Sequence, residues 1–274
     1  MTNYLISPLE TFFKEVSYFN GNIYIANSII NSRSEQTKSD FRVPQDLWQT
    51  VTYFRDVTMD TEADNLFPTG YGYNVGTPTL SEQSLRTVSF ICCNAIVSVY
   101  EAFDSYLKDV LSQVYIHSGH KSSFKLKEEY STAEDVRQNL WQVRSDRGFL
   151  KIIRRIAPIF SQFERKNLHN YDLGNWYNMI DLTRHQIIHN RQQASESFID
   201  EIKRKNYWQL FLDNFSVRKA DNQLIMITHH QASHLLINFL EYAYLIFKSF
   251  SQALNLPYQE EPLKYKPIMN VFEI

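Results

Sequence analysis

Turn formers are scarce in this chain: seven glycines and eight prolines interrupt 274 residues. Sandwiches and barrels of β-strands need frequent turns, so so few breakers point to long helices. The length suffices for one substantial core. Hydrophobic residues at 43% and charged residues at 21% are the proportions of a globular chain rather than a disordered one. Aromatics reach 15%. Large rings such as Trp141, Trp176, Tyr177 and Trp208 therefore read as core rather than as platforms for stacked bases.

Periodicity gives the coarse layout. Residues 5–33 form one helix or two, with Gly21 as the weak point, and the polar residues 34–46 form a loop. Between Gln45 and Val57 the apolar positions Leu47, Trp48, Val51 and Phe54 suit a helical face. Pro68, Gly70, Gly72, Gly76 and Pro78 mark residues 60–78 as a loop or short hairpin. Thr79-Leu80-Ser81-Glu82 has the pattern of a capping box. It opens the clearest helix, in which Val88, Ile91, Cys92, Ala95, Val99, Ala102, Phe103, Tyr106, Val110 and Val114 keep a three-to-four-residue rhythm until Gly119. Further helices are predicted at 132–144, 147–167, 175–194 and 229–254. Trp208 to Leu212 reads as a helical turn and Gln223 to Thr228 as a short strand. The expected fold is all-α: an antiparallel helical bundle over residues 79–254, an N-terminal helical extension over 1–78 packed on it, and an extended tail over 255–274.

Formal net charge is −2, so the whole-molecule field is not that of a typical nucleic-acid binder. The distribution is uneven. Residues 1–118 carry 7 Lys and Arg against 13 Asp and Glu, whereas residues 119–166 carry 11 against 6. The second region, from Lys121 to Lys166, reads either as solvated helix faces or as a surface for phosphate groups. Cys92 and Cys93 are the only cysteines. Neighbours on a helix diverge by about 100° and are poorly placed to bridge, so both read as buried small hydrophobes in a reducing compartment. The N-terminal residues lack a signal-peptide pattern. Leu235 to Phe250 is interrupted by Asn238, Glu241 and Lys248 and is too short to span a bilayer. The expectation is a cytoplasmic protein that does not engage a membrane.

The segment most suggestive of chemistry is Arg184-His185-Gln186-Ile187-Ile188-His189. With Arg184 at 0° and about 100° per residue, Asp181 falls near 60°, Gln192 near 80°, His185 near 100°, Asn178 near 120° and His189 near 140°. Met179, Ile180, Thr183 and Ile187 occupy the opposite side. One helix face thus carries a polar, ionisable band interrupted by Ile188. A neutral imidazole can accept the proton of a 2′-hydroxyl, because its ordinary pKa of about 6.5 lies near neutral pH. A guanidinium is always charged and can stabilise the oxygens of a phosphorane. The pair suits metal-free cleavage of RNA, and a two-fold dimer would bring a second set of groups across the interface. An Arg and a His at this spacing also occur by chance on solvated helix faces.

Leu182-Thr183-Arg184-His185-Gln186-Ile187-Ile188-His189-Asn190-Arg191 resembles the signature of the HEPN superfamily, whose hallmark is R-x4-6-H with a polar residue after the Arg. His185 stands where Asn is more usual. The helix Asn94 to Leu107 resembles the first long HEPN helix, and Glu101 matches the acidic residue often found there. The resemblance covers about residues 80–250. It implies a bundle that often dimerises across a shared cleft, and an endoribonuclease of prokaryotic toxin or defence type acting on RNA, with an antitoxin protein as a possible partner. By the same resemblance His189 would be the base, Arg184 the phosphate stabiliser, and His185 and Glu101 supporting groups. Asn190, Arg191 and Gln192 would contact RNA. Other HEPN members are non-catalytic RNA-binding or scaffold modules, which is the second reading.

A third reading is a metal-binding helical-bundle hydrolase. His185/His189 and His230/His234 are both His-x3-His pairs, and His229 adds a nitrogen. The carboxylate-containing patterns of di-iron bundles and zincins are missing, so no metal is expected. With no P-loop or dinucleotide-binding fingerprint in the sequence, no cofactor is expected either.

Overall fold

The structure is a computed structural model that describes residues 3–40, 46–55, 66–76, 79–143, 146–218 and 223–258. Among these residues nine α-helices form an all-α bundle with two small two-stranded sheets. The expected tail falls largely outside them, since residues 259–274 are not among those described.

Helix α1 runs unbroken over Ile6–Asp40, through Gly21 and most of the expected loop 34–46. Leu5, Leu9, Phe12, Val16 and Ile23 recur every three, four or seven residues and are almost wholly buried. They form a stripe against helices α2 (Leu80–His117) and α9 (His229–Ala253). A mid-helix glycine costs about 1 kcal/mol, which burial of a few large side chains outweighs. Residues after α1 depart from expectation. The segment expected as a helix from Gln45 to Val57 is instead strand β1, Asp46–Arg55, paired antiparallel with β2, Leu66–Gly76. The run Thr50-Val51-Thr52-Tyr53-Phe54 is β-branched and aromatic, and a partner strand lies nearby, so β preference prevails over the helical spacing.

Helix α2 is the spine, with α1, α3, α4, α6 and α9 packed around it. It is also the one described helix long and apolar enough to cross a membrane by length and composition. Within the bundle its Cys92, Ile96, Val99, Phe103, Leu107, Val110, Leu111 and Val114 are fully buried, and 39% of the apolar window is buried in all. The expected capping box at its start does not form. Thr79 has φ −100° and ψ −5°, not the extended geometry that aims a hydroxyl at the third amide. Its hydroxyl donates to the Gly76 carbonyl at 3.1 Å, and Glu82 pairs with Arg86 at 2.7 Å. The working capping box is at α9, where Thr228 has φ −82° and ψ 162° and exchanges bonds with Gln231.

Helix α3 spans Ala133–Asn139. The helix expected at 147–167 divides into α4, Asp146–Ile156, and α5, Ile159–Arg165. Pro158 supplies the reason, because it has no amide to donate and disfavours helical geometry in the residue before it. Helix α6 spans Leu173–His189, α7 Glu196–Arg204 and α8 Trp208–Asn214. Strands β3, Ser216–Arg218, and β4, Leu224–Met226, make the second sheet.

Phe103 lies at the crossing of α1, α2, α6 and α9. Its ring centroid sits 5.6 Å from Phe12, 5.3 Å from Tyr177, 5.5 Å from Phe239 and 5.6 Å from Tyr242. Trp176 and Tyr177 are core residues as expected, but Trp141 is 67% exposed. Beside this cluster Glu164 of α5 is buried. Arg154 of α4 grips both its oxygens at 2.7 and 2.8 Å, and the Tyr242 hydroxyl of α9 donates to Oε1 at 2.6 Å. The network joins three helices at the N-terminal end of α6, where a Cβ on Gly174 would lie 3.0 Å from Arg154 Nη2 and 3.3 Å from Glu164 Oε1.

Two stability measurements follow from these contacts. Urea denaturation of Thr228→Ala should show a loss of about 1 kcal/mol, and Thr79→Ala only a few tenths. Glu164→Gln strips a buried carboxylate from Arg154 and Tyr242 and should cost about 2–4 kcal/mol, seen as a lower urea midpoint at unchanged slope.

Candidate active site

Asp172 caps the start of α6, its side chain accepting from the Asn175 amide at 2.9 Å. The helix buries Trp176, Tyr177, Met179, Ile180, Thr183 and Ile187. The opposite face leaves Asp181 and Arg184 partly exposed and His185, Ile188 and His189 exposed. The amphipathic split that sets this face is a direct result of the 3.6-residue repeat.

Arg184 turns toward α2. Its Nη1 pairs with Glu101 Oε1 and its Nη2 lies 3.5 Å from Asp181 Oδ1. The guanidinium carbon stands 4.4 Å above the Tyr100 ring, a cation–π contact. Tyr100 is itself held by its hydroxyl, which donates to Asp181 at 3.0 Å, and by a parallel stack on Tyr177 at 5.1 Å. The Arg184 Nε is buried and has no hydrogen-bond partner. Burial works against the charge on this group, yet Tyr100, Glu101 and Asp181 together outweigh it and hold the pKa above its ordinary value. Arg184 is therefore a fixed cation, with its outer edge against the exposed carboxylate of Glu101.

His185 and His189 lie one turn apart with ring centroids 4.5 Å from each other. Both residues are exposed, in the last two turns of α6. Helix α6 ends at His189 rather than at 194. This changes the expected RNA-contacting residues. Asn190 is the C-cap, and its side chain donates to Gln186 at 2.6 Å. Arg191 is exposed with φ 51°. Gln192, expected on the polar band, has left the helix at φ 65° and is buried, while its carbonyl accepts from Ile225 at 2.7 Å and ties the loop to β4. Its side chain is withdrawn from the surface that carries Arg191.

The other sequence features are distributed elsewhere. Several cations of the basic region are held internally: Arg137 by Asp109 and Ser105, Arg154 by Glu164, Arg155 by the Ser123 carbonyl, and Lys121 by Glu129. Lys125, Lys127, Lys151, Arg165 and Lys166 are exposed. The rings of His229 and His230 lie 3.9 Å apart, tilted by 38°, at the start of α9, where both help to line a cavity of ≈600 Å³ with Leu85, Val88, Met226 and Ile227. Neither Arg184, His185 nor His189 lines that cavity. Among the described residues no group of three or more metal-ligating side chains converges. Sequence spacing missed Tyr100 as the platform of Arg184, because Tyr100 lies on α2, across a seam that spacing within α6 cannot reveal. Asp181, placed by the repeat on the same polar band, is the second anchor three residues away.

No protein-family model, curated protein or solved structure matches this chain.

Burial pushes the Cys92 thiol up to about 12. Burial also raises Cys93 to about 12, reinforced by the neighbouring Cys92 and opposed by a hydrogen bond from Ser89. Since only the thiolate attacks disulfides, both cysteines should resist an aromatic disulfide reagent at pH 8 in the native protein. Two thiols should react promptly after denaturation in guanidinium; a native thiol titrating within minutes would contradict this burial.

Proposed function

We propose that the face of α6 carrying Arg184, His185 and His189 binds RNA phosphate and cleaves the backbone without a metal, in the manner of an HEPN endoribonuclease in the cytoplasm. The observation that carries this reading is the pair of adjacent, exposed imidazoles on α6, a helix whose Arg184 is held as a fixed cation over Tyr100. His189 is assigned as the base for the 2′-hydroxyl and Arg184 as the cation opposing charge on the non-bridging oxygens. The departing 5′-oxygen needs a proton. His185, one turn away, or a histidine from a second copy in a homodimer can deliver it.

One observation favours the non-catalytic alternative, a phosphate-binding or scaffold module. Arg184 is already engaged by Glu101 and Asp181, an arrangement that equally serves to hold α6 against α2. Incubation of single-stranded RNA with excess protein in a chelator separates the two. A nuclease leaves 2′,3′-cyclic phosphate ends, fails on a substrate with 2′-deoxy sugar at the cut, and loses about 10²- to 10⁴-fold activity in His189→Ala. Intact RNA at stoichiometric wild-type protein, with retained RNA binding, would leave the binding module as the function.

A further inference from the structure

We infer that Glu101 is a built-in competitor for the anion that Arg184 recognises, so that the site is held closed to phosphate until this carboxylate is displaced. The inference rests on the phosphate-binding reading above and adds its regulation. A guanidinium recognises phosphate through the edges of its planar fork. Here one face of the fork lies on Tyr100, the Nε is buried, and Nη2 points to Asp181. The remaining direction of approach is through Nη1, and the Glu101 carboxylate stands there. An incoming phosphate and Glu101 therefore contend for the same hydrogens.

The two carboxylates around Arg184 differ in kind. Asp181 sits three residues earlier on the same helix and is also bound by the Tyr100 hydroxyl, so it stays with the guanidinium. Glu101 reaches over from α2 with its side chain 57% exposed. Water can take up the displaced carboxylate, and an exposed pair of this kind is weak enough to exchange. Removal of Glu101 leaves Arg184 in place on Tyr100 and Asp181. This role is opposite to that of a supporting catalytic group, for which loss of the carboxylate would impair the site.

The experiment measures binding of inorganic phosphate and of a non-cleavable 2′-deoxy oligonucleotide to the full chain at fixed ionic strength. Variants are Glu101→Gln, Arg184→Gln, the double variant and Glu128→Gln, which removes one exposed negative charge in a different part of the chain. Glu101→Gln is expected to tighten both probes about two- to fivefold, in keeping with the strength of an exposed ion pair. Glu128→Gln should shift them less than twofold, and the gain from Glu101→Gln should vanish in the Arg184→Gln background. Unchanged or weaker binding in Glu101→Gln, with Arg184→Gln still harmful, would overturn the competitor role and leave phosphate recognition standing. Binding insensitive to Arg184→Gln would overturn both.

Discussion

The apolar spine α2 sets the terms for everything around it. Its buried residues are not confined to one stripe, so a single neighbouring helix cannot cover them, and α1, α6 and α9 close on it from different sides. Phe103 is the point where the four helices meet, held among rings from the other three. Tyr100 lies one turn before it and so falls beneath α6, stacked on Tyr177. Glu101, the next residue, is thereby carried to the rim of the same seam. The position of a charged pair at the surface follows from aromatic packing beneath it.

Two arginines show how solvent access alters the meaning of similar chemistry. Arg154 and Arg184 each meet a carboxylate and a tyrosine. Glu164 is buried with Tyr242 in the core, so its pairing with Arg154 cannot be exchanged for water without a large desolvation loss. Glu101 projects into solvent, so its pairing with Arg184 is held only loosely. The first arrangement joins α4, α5 and α9 and positions the start of α6. The second holds a partly exposed cation on α6, one residue before His185 in the chain, against α2.

Helical character was readable because few glycines and prolines left the backbone little alternative, and because long apolar rhythms at 80–117 and 229–253 leave one interpretation. The amphipathic face of α6 was readable for the same reason: which residues point outward on a helix follows from the repeat alone. The errors cluster where two local preferences compete. Thr50 to Phe54 carries a helical spacing and β-forming residues together, and only the presence of a partner strand decides. Thr79 and Thr228 precede similar capping patterns, yet only the backbone of Thr228 is extended at the turn. Pro158 was an overlooked stop.

What the chain's order of residues determined by itself was its class, its main helices, and the alignment of Arg184, His185 and His189 along one face, because these depend on interactions within a few residues. Tertiary structure alone decided that Arg184 faces Glu101 over the ring of Tyr100, that Gln192 is buried with its carbonyl bonded to β4, and that Glu164 is locked in the core. These contacts join residues separated by tens of positions. Their geometry depends on how helices cross, which is set by the collective packing of large side chains rather than by any local pattern.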